Sequence, residues 1–293
     1  MDLTCYTILV PIGSSKQSKI ALEQAERIAV ITKGELVLLS CVENSIKLSN
    51  LFNEDDECYV EDKLELQSRL DLLVSEVSSR TGLKVNGMVT KGKAHKKIVE
   101  VADLVGAKLI VMGTNGTPLS FSKKIIGSKA IRVVSKSPCP VITIKGKKHF
   151  NGCRTIILPL DLEKETKQKV KHALTLACLW RATVKVVSVV ERDDLGVVSR
   201  LRASLHQVQN YLSGRGVKST IELINFNGRS LAKAVLGYST LHQADLIMIM
   251  TQQENNFTQY LIGSAAQSII YNSEVPVMSI HPEVKMNELY SFP

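Results

Sequence analysis

Three blocks of this chain occur twice, in the same order. Residues 7–12 (TILVPI) match 155–160 (TIILPL), residues 107–112 (AKLIVM) match 244–249 (ADLIMI), and residues 137–144 (SPCPVITI) match 273–280 (SEVPVMSI). The three offsets are 148, 137 and 136, so the second copy is shorter in its first half. A duplication on this scale means that each copy is a folding unit with its own core. It also fixes the domain division at residues 1–148 and 149–293, with a linker near 145–152. The extra length of the first copy falls on the polar stretch 44–57, expected to be a loop.

Apolar periodicity gives the elements of one copy. Residues 6–12 form a continuous apolar run. Residues 15–33 then show helical spacing, with Ala21, Leu22, Ala25, Ile28 and Ala29 on one face. A second strand over 35–41 ends near Val42. A long polar-faced helix over 57–80 stops near Gly82. An alternating strand at 84–90 and a helix carrying Ile98, Val101, Ala102 and Val105 follow. The copy closes with a strand over 109–112, a short helix over 127–135 and a last strand over 141–144. Strands alternating with helices imply βαβ units and parallel sheets, and right-handed crossovers restrict the topology to a doubly wound α/β domain. The chain therefore reads as two tandem doubly wound parallel-sheet domains.

Composition excludes several classes. Lys and Arg exceed Asp and Glu by enough to give +9 and a pI near 9.2, but aromatics are 5% and do not interleave with the basic residues as nucleic-acid stacking platforms would. No apolar run approaches the length of a membrane span. Six cysteines form no C-x-x-C pair, and the six histidines have no metal-ligand spacing, so no metal site is expected. Unpaired cysteines and the lack of a leader-like N-terminus point to the cytoplasm. No G-x-x-x-x-G-K-[ST] loop occurs, which disfavours a P-loop kinase or ATPase.

The candidate site lies after the fourth strand. Open α/β sheets bind ligands at the carboxyl ends of their strands, where strand order reverses. There the first copy reads Met112-Gly113-Thr114-Asn115-Gly116, and ten residues later Gly127-Ser128 opens a helix. Gly113 and Gly116 leave room for backbone N–H groups to meet phosphate oxygens, and Gly127 and Ser128 offer free N–H groups at a helix N-terminus. A G-x-x-G alone is uninformative; the strand before it and the Gly-Ser after it supply the specificity.

This arrangement resembles the universal stress protein family in its tandem two-domain form, over nearly the whole chain. The resemblance implies a flavodoxin-like, adenine nucleotide alpha hydrolase-like fold. It also implies a stress-response sensor or regulator, not an enzyme, that binds ATP or a related adenine nucleotide in the first copy and leaves room for magnesium to accompany it. Slow ATP hydrolysis is a subordinate reading, since no general base is evident near the phosphates. The pocket so implied uses Pro11, Gly13, Val42, Met112, Gly113, Asn115, Gly116, Gly127, Ser128 and Lys129, with Lys123 and Lys124 in the intervening loop. Nucleotide-binding members carry G-x-x-G, nine residues, then G-S or G-T, and an Asp after the first strand. The first copy has ten residues in the gap (117–126) and Gly13 in place of the Asp. The second copy has Asp161 and the nine-residue gap before Gly263-Ser264, but Met250 and Gln253 replace the glycines. No triphosphate is expected there. The last strands, 141–144 and 277–280, would pair in an intramolecular pseudo-dimer; protein partners and a higher homo-oligomer stay open. The alternative reading is a scaffold for interactions that binds no nucleotide, its crevice empty or holding another anion or lipid.

One cluster has no explanation in helix stability. Lys91, Lys93, Lys96 and Lys97 crowd a helix N-terminus, where cations oppose the macrodipole. They read either as a solvated surface or as an extension of an anion site.

Overall fold

The computed structural model describes residues 6–43, 56–114, 128–145, 152–161, 168–190, 195–225, 228, 230–251 and 262–282. These fall into two compact units, residues 1–152 with 270–278 and residues 153–269 with 279–293.

The first copy runs β1 (Thr7–Pro11), α1 (Lys16–Thr32), β2 (Glu35–Val42), α2 (Asp56–Thr81), β3 (Val85–Lys91), α3 (Ala94–Leu104), β4 (Leu109–Gly113), α4 (Ser128–Lys136) and β5 (Val141–Ile144). Its strands lie in the order β3-β2-β1-β4-β5, with β1–β2, β1–β4, β2–β3 and β4–β5 all parallel. The second copy runs β6 (Thr155–Pro159), α5 (Gln168–Trp180), β7 (Thr183–Val190), α6 (Leu195–Ser213), β8 (Ser219–Asn225), α7 (Leu231–Leu241), β9 (Leu246–Met250), α8 (Ser264–Asn272) and β10 (Val277–Ile280). Its order, β8-β7-β6-β9-β10, repeats the first.

Burial explains the patterns. β5 is buried throughout and β4 at every residue but its last, as the continuous apolar runs of a helix-covered parallel sheet require. The outermost strand β3 is only half-buried. Ala21, Leu22, Ala25, Ile28 and Ala29 of α1 are all buried. Ser15 caps that helix through its hydroxyl, which accepts from the Ser18 N–H at 3.1 Å. Helix α2 ends at Gly82, where φ is +68° and the N–H reaches the Ser78 carbonyl. The expected loop 44–57 gives its last two residues to α2; residues 44–55 lie outside the described residues.

The duplication extends to single hydrogen bonds. The residue after the first strand donates across to the second at 2.7 Å in one copy (Ile12 to Leu39) and 2.8 Å in the other (Leu160 to Val187). Thr114 donates its N–H to Ile144, as Thr251 does to Ile280, at 2.9 and 3.0 Å. Lys33 and Arg181 take the same left-handed conformation past the first helix, at φ 51° and 53°. No helix among the described residues is long and apolar enough to cross a membrane.

Candidate functional site

The chain crosses from one side of β1 to the other between β3 and β4. The carboxyl ends of β1 and β4 therefore flank the point where strand order reverses, the usual ligand position in such sheets. Pro11 ends β1, Val42 ends β2, and Met112 and Gly113 end β4, so these four expected residues stand on one sheet edge. Gly13 is exposed just beyond β1. Ser128 is the first residue of α4 and Lys129 its second. Asn115, Gly116, Lys123, Lys124 and Gly127 lie outside the described residues.

The turn after β1 is closed by serines. The Gly13 N–H donates to Ser18 Oγ at 2.9 Å, and Ser18 Oγ donates to the Pro11 carbonyl at 3.4 Å. A Cβ built on Gly13 would meet nothing within 4 Å, so the position where the family places an Asp is open space. Gly113 is the reverse case. A Cβ there would stand 2.8 Å from the Gln17 carbonyl carbon, 2.9 Å from Gln17 Cβ and 3.0 Å from the Ser18 nitrogen. The missing side chain lets the first turn of α1 pack directly on the end of β4. This is a packing reason for Gly113 that stands without any phosphate.

Lys129 is engaged. Its ammonium donates to Glu43 Oε2 at 2.5 Å, while Glu43 Oε1 accepts the Ala94 N–H at 2.9 Å. Glu43 thus joins the ends of β2, α3 and α4. It is also the anion that the lysine-rich start of α3 lacked within its own sequence. Burial pushes the Glu43 carboxyl up, but the Lys129 ammonium and the Ala94 N–H together outweigh it and hold it below its ordinary value. Lys97 bonds Glu100 at 2.6 Å. His95 is held below its ordinary pKa, first by burial and then by Arg132, Lys93 and Lys96. An anion arriving at this corner would find converging positive charge. Cys41, beside it, is bonded to Thr90 at 3.5 Å and pushed up by burial, which makes it a poor nucleophile.

The second copy has different chemistry at the same edge. A cavity of about 220 Å³ is lined there by the end of β6 (Pro159, Leu160, Asp161), by Ile249, Met250 and Thr251 at the end of β9, and by the starts of α7 and α8. Met250, standing where the first copy has Gly113, is buried in this lining, and Gln253 lies outside the described residues. Lys169 also lines the cavity and is only 4% exposed.

Sequence reasoning missed Glu43, Ser18 and Lys169. Glu43 signals only through partners distant in sequence, whereas Ser18 bonds Gly13 and Pro11 within the turn after β1. Lys169 had a visible signal, a cation within the buried stripe of α5 formed by Val170, Ala173, Leu176 and Ala177.

The universal stress protein family pattern matches residues 6–145 and again 152–281. The chain belongs to the universal stress protein family. A universal stress protein of Synechocystis sp. is 33% identical over 138 residues, covering 47% of this chain and 84% of that protein. One from Mycolicibacterium smegmatis is 20% identical over 296 residues, spanning 95% of this chain and 98% of its own length. Among solved structures, a universal stress protein from Archaeoglobus fulgidus superposes with a TM-score of 0.76 at 19% identity, over 94% of this chain and 96% of that one. The two matches of the family pattern carry the tandem form, and the solved structure carries the fold alone.

Proposed function

We propose that this universal stress protein binds ATP or a related adenine nucleotide in its first copy and acts as a cytoplasmic sensor or regulator, not as an enzyme. The observation that carries the reading is the edge where β1 and β4 end. It combines open space at Gly13 with a neighbouring corner where Lys129 pairs with Glu43 and where Arg132, Lys93 and Lys96 lie near His95. Pro11, Gly13, Val42, Met112, Gly113, Asn115, Gly116, Gly127, Ser128 and Lys129 are the proposed contacts. Magnesium would accompany the phosphates. The division at 148/149 and an intramolecular pseudo-dimer through the two last strands belong to the same proposal.

The second reading is a scaffold that binds no nucleotide. The pairing of Lys129 with Glu43 favours it, because one of the corner's cations already has a counter-ion. Equilibrium dialysis with labelled ATP, with and without magnesium, separates the two. Saturable binding that weakens in Lys129→Ala supports the nucleotide reading. No binding up to about millimolar ATP, or equal binding by the variant, overturns it.

A further inference from the structure

The second-copy cavity is more apolar than the crevice it repeats. Where the first copy has Cys41, Ala94 and Gly113, the second has Val189, Leu231 and Met250, and Ala265 takes the place of the charged Lys129. All four replacements line the cavity, together with Val235 of α7 and Ile269 of α8. Three polar side chains share the lining, and each is already engaged. Thr251 Oγ1 lies 2.8 Å from His281 Nδ1 and donates to the Ile280 carbonyl at 3.3 Å. Asp161 and Lys169 each have an interaction partner. The backbone at the strand ends is paired as well. Leu160 donates its N–H to Val187 at 2.8 Å and accepts from Ser188 Oγ at 2.8 Å, and the Thr251 carbonyl accepts the Gly263 N–H at 3.1 Å. A charged molecule entering here would give up its hydration for side chains that already have partners, a cost that a neutral molecule avoids.

Volume sets the size of the occupant. An apolar protein cavity of about 150 Å³ accommodates one benzene ring, so about 220 Å³ scales to about nine non-hydrogen atoms. Met250 selects its shape. Its thioether is buried in the wall, and such a sulfur makes favourable contacts with the edges of aromatic rings. We propose that this cavity binds a neutral fused-ring aromatic molecule of the size of indole, lying against Val235, Ile269 and Met250. Leu231 and Ala265, both half-buried, border it. A single ring N–H stays at this wetter border. Adenine has nearly the same size, but its ring nitrogens and amino group would exchange water for walls whose polar side chains are already bonded. A nucleotide would add the negative charges of its phosphates.

The proposal is independent of nucleotide binding in the first copy, and its test is run with and without saturating ATP. Full-length protein is titrated calorimetrically with indole, with benzoate and 2-phenylethylammonium, which match it in size but carry a charge, and with adenine. The expected result is saturable binding of one indole per chain with a Kd of about 1 mM or below, unchanged by ATP. Both ions and adenine bind more weakly by about tenfold or more. Leu231→Trp fills the cavity from its half-buried border and weakens indole by about tenfold or more. Ala265→Lys, which restores the residue of the first copy, places a charge at the same border and also weakens indole; it serves should Leu231→Trp fail to fold. Absence of saturable indole binding up to about 5 mM overturns the proposal. So does displacement of indole by ATP, binding of either ion or of adenine as tight as that of indole, or indole binding indifferent to both variants.

Discussion

Replacing Gly113 tests whether its bare Cα serves packing or phosphate. In Gly113→Ala the new methyl would lie 2.8 Å from the Gln17 carbonyl carbon and 3.0 Å from the Ser18 nitrogen. Both are backbone atoms, so no side-chain rotation relieves the overlap and the first turn of α1 must move. That turn is held by the Ser15 cap and by the Ser18 hydroxyl, which bonds both Gly13 and Pro11, so movement also breaks these bonds. Overpacking of this kind costs about 1–3 kcal/mol, with Val at the upper end. In a domain of about 150 residues each kcal/mol moves the melting midpoint by about 2–4 °C, so Tm falls by about 2–12 °C. Thermal melts without nucleotide measure it. An unchanged midpoint in Gly113→Ala with loss of ATP binding would refute the packing argument and return Gly113 to the phosphates alone.

Gly13→Asp should leave the melting midpoint unchanged, since the position is exposed and open, and should tighten adenine nucleotide binding by about tenfold in equilibrium dialysis; equal or weaker binding contradicts the proposed pocket. The Glu35 carboxyl is held below its ordinary value of 4.5 by hydrogen bonds from the Lys84 ammonium and the Thr7 hydroxyl, against a smaller effect of burial. Its folded pKa is therefore the lower one. Its contribution is complete above the ordinary carboxylate range and lost as pH falls through the lowered value. Glu35→Gln should flatten the decline in urea midpoint between about pH 5 and pH 2. Gln243 sits at φ 47° where the first copy has Gly106 at φ 60°, so Gln243→Gly should stabilise the second copy by about 0.5–1 kcal/mol in urea melts.

The duplication made most of the fold legible. Buried parallel strands have to be continuous apolar runs, and a run seen twice in the same order is not an accident of composition. Helix α1 was readable because its apolar residues recur at helical spacing and its cap, Ser15, is local. Glu43 was not readable, because its role exists only after β2, α3 and α4 converge, and Ser18 was not, because a serine in the first turn of a helix does not reveal that its hydroxyl closes the preceding turn. Gly113 was found but its packing role was hidden: a glycine at a strand end has the same letter whether a phosphate or a helix occupies the space beside it. Lys169 was legible in principle, as a lysine within a stripe of buried residues, yet periodicity records only where apolar residues recur.

The Lys129–Glu43 pair decides how much weight the scaffold reading can bear, and its exposure settles the magnitude. The two side chains are 51% and 34% exposed, and ion pairs in such water-screened positions contribute about 0–1 kcal/mol. A hydrogen bond from Lys129 to a phosphate oxygen at the same half-exposed position is screened by solvent in the same way. The proposed nucleotide requires only that Lys129 turn from Glu43 to the incoming anion at little cost, while Glu43 keeps the Ala94 N–H at the start of α3. Under the proposed nucleotide reading the pair is a resting arrangement for the cation, and its loss costs little. Ala265 leaves the second copy without such a cation at this position.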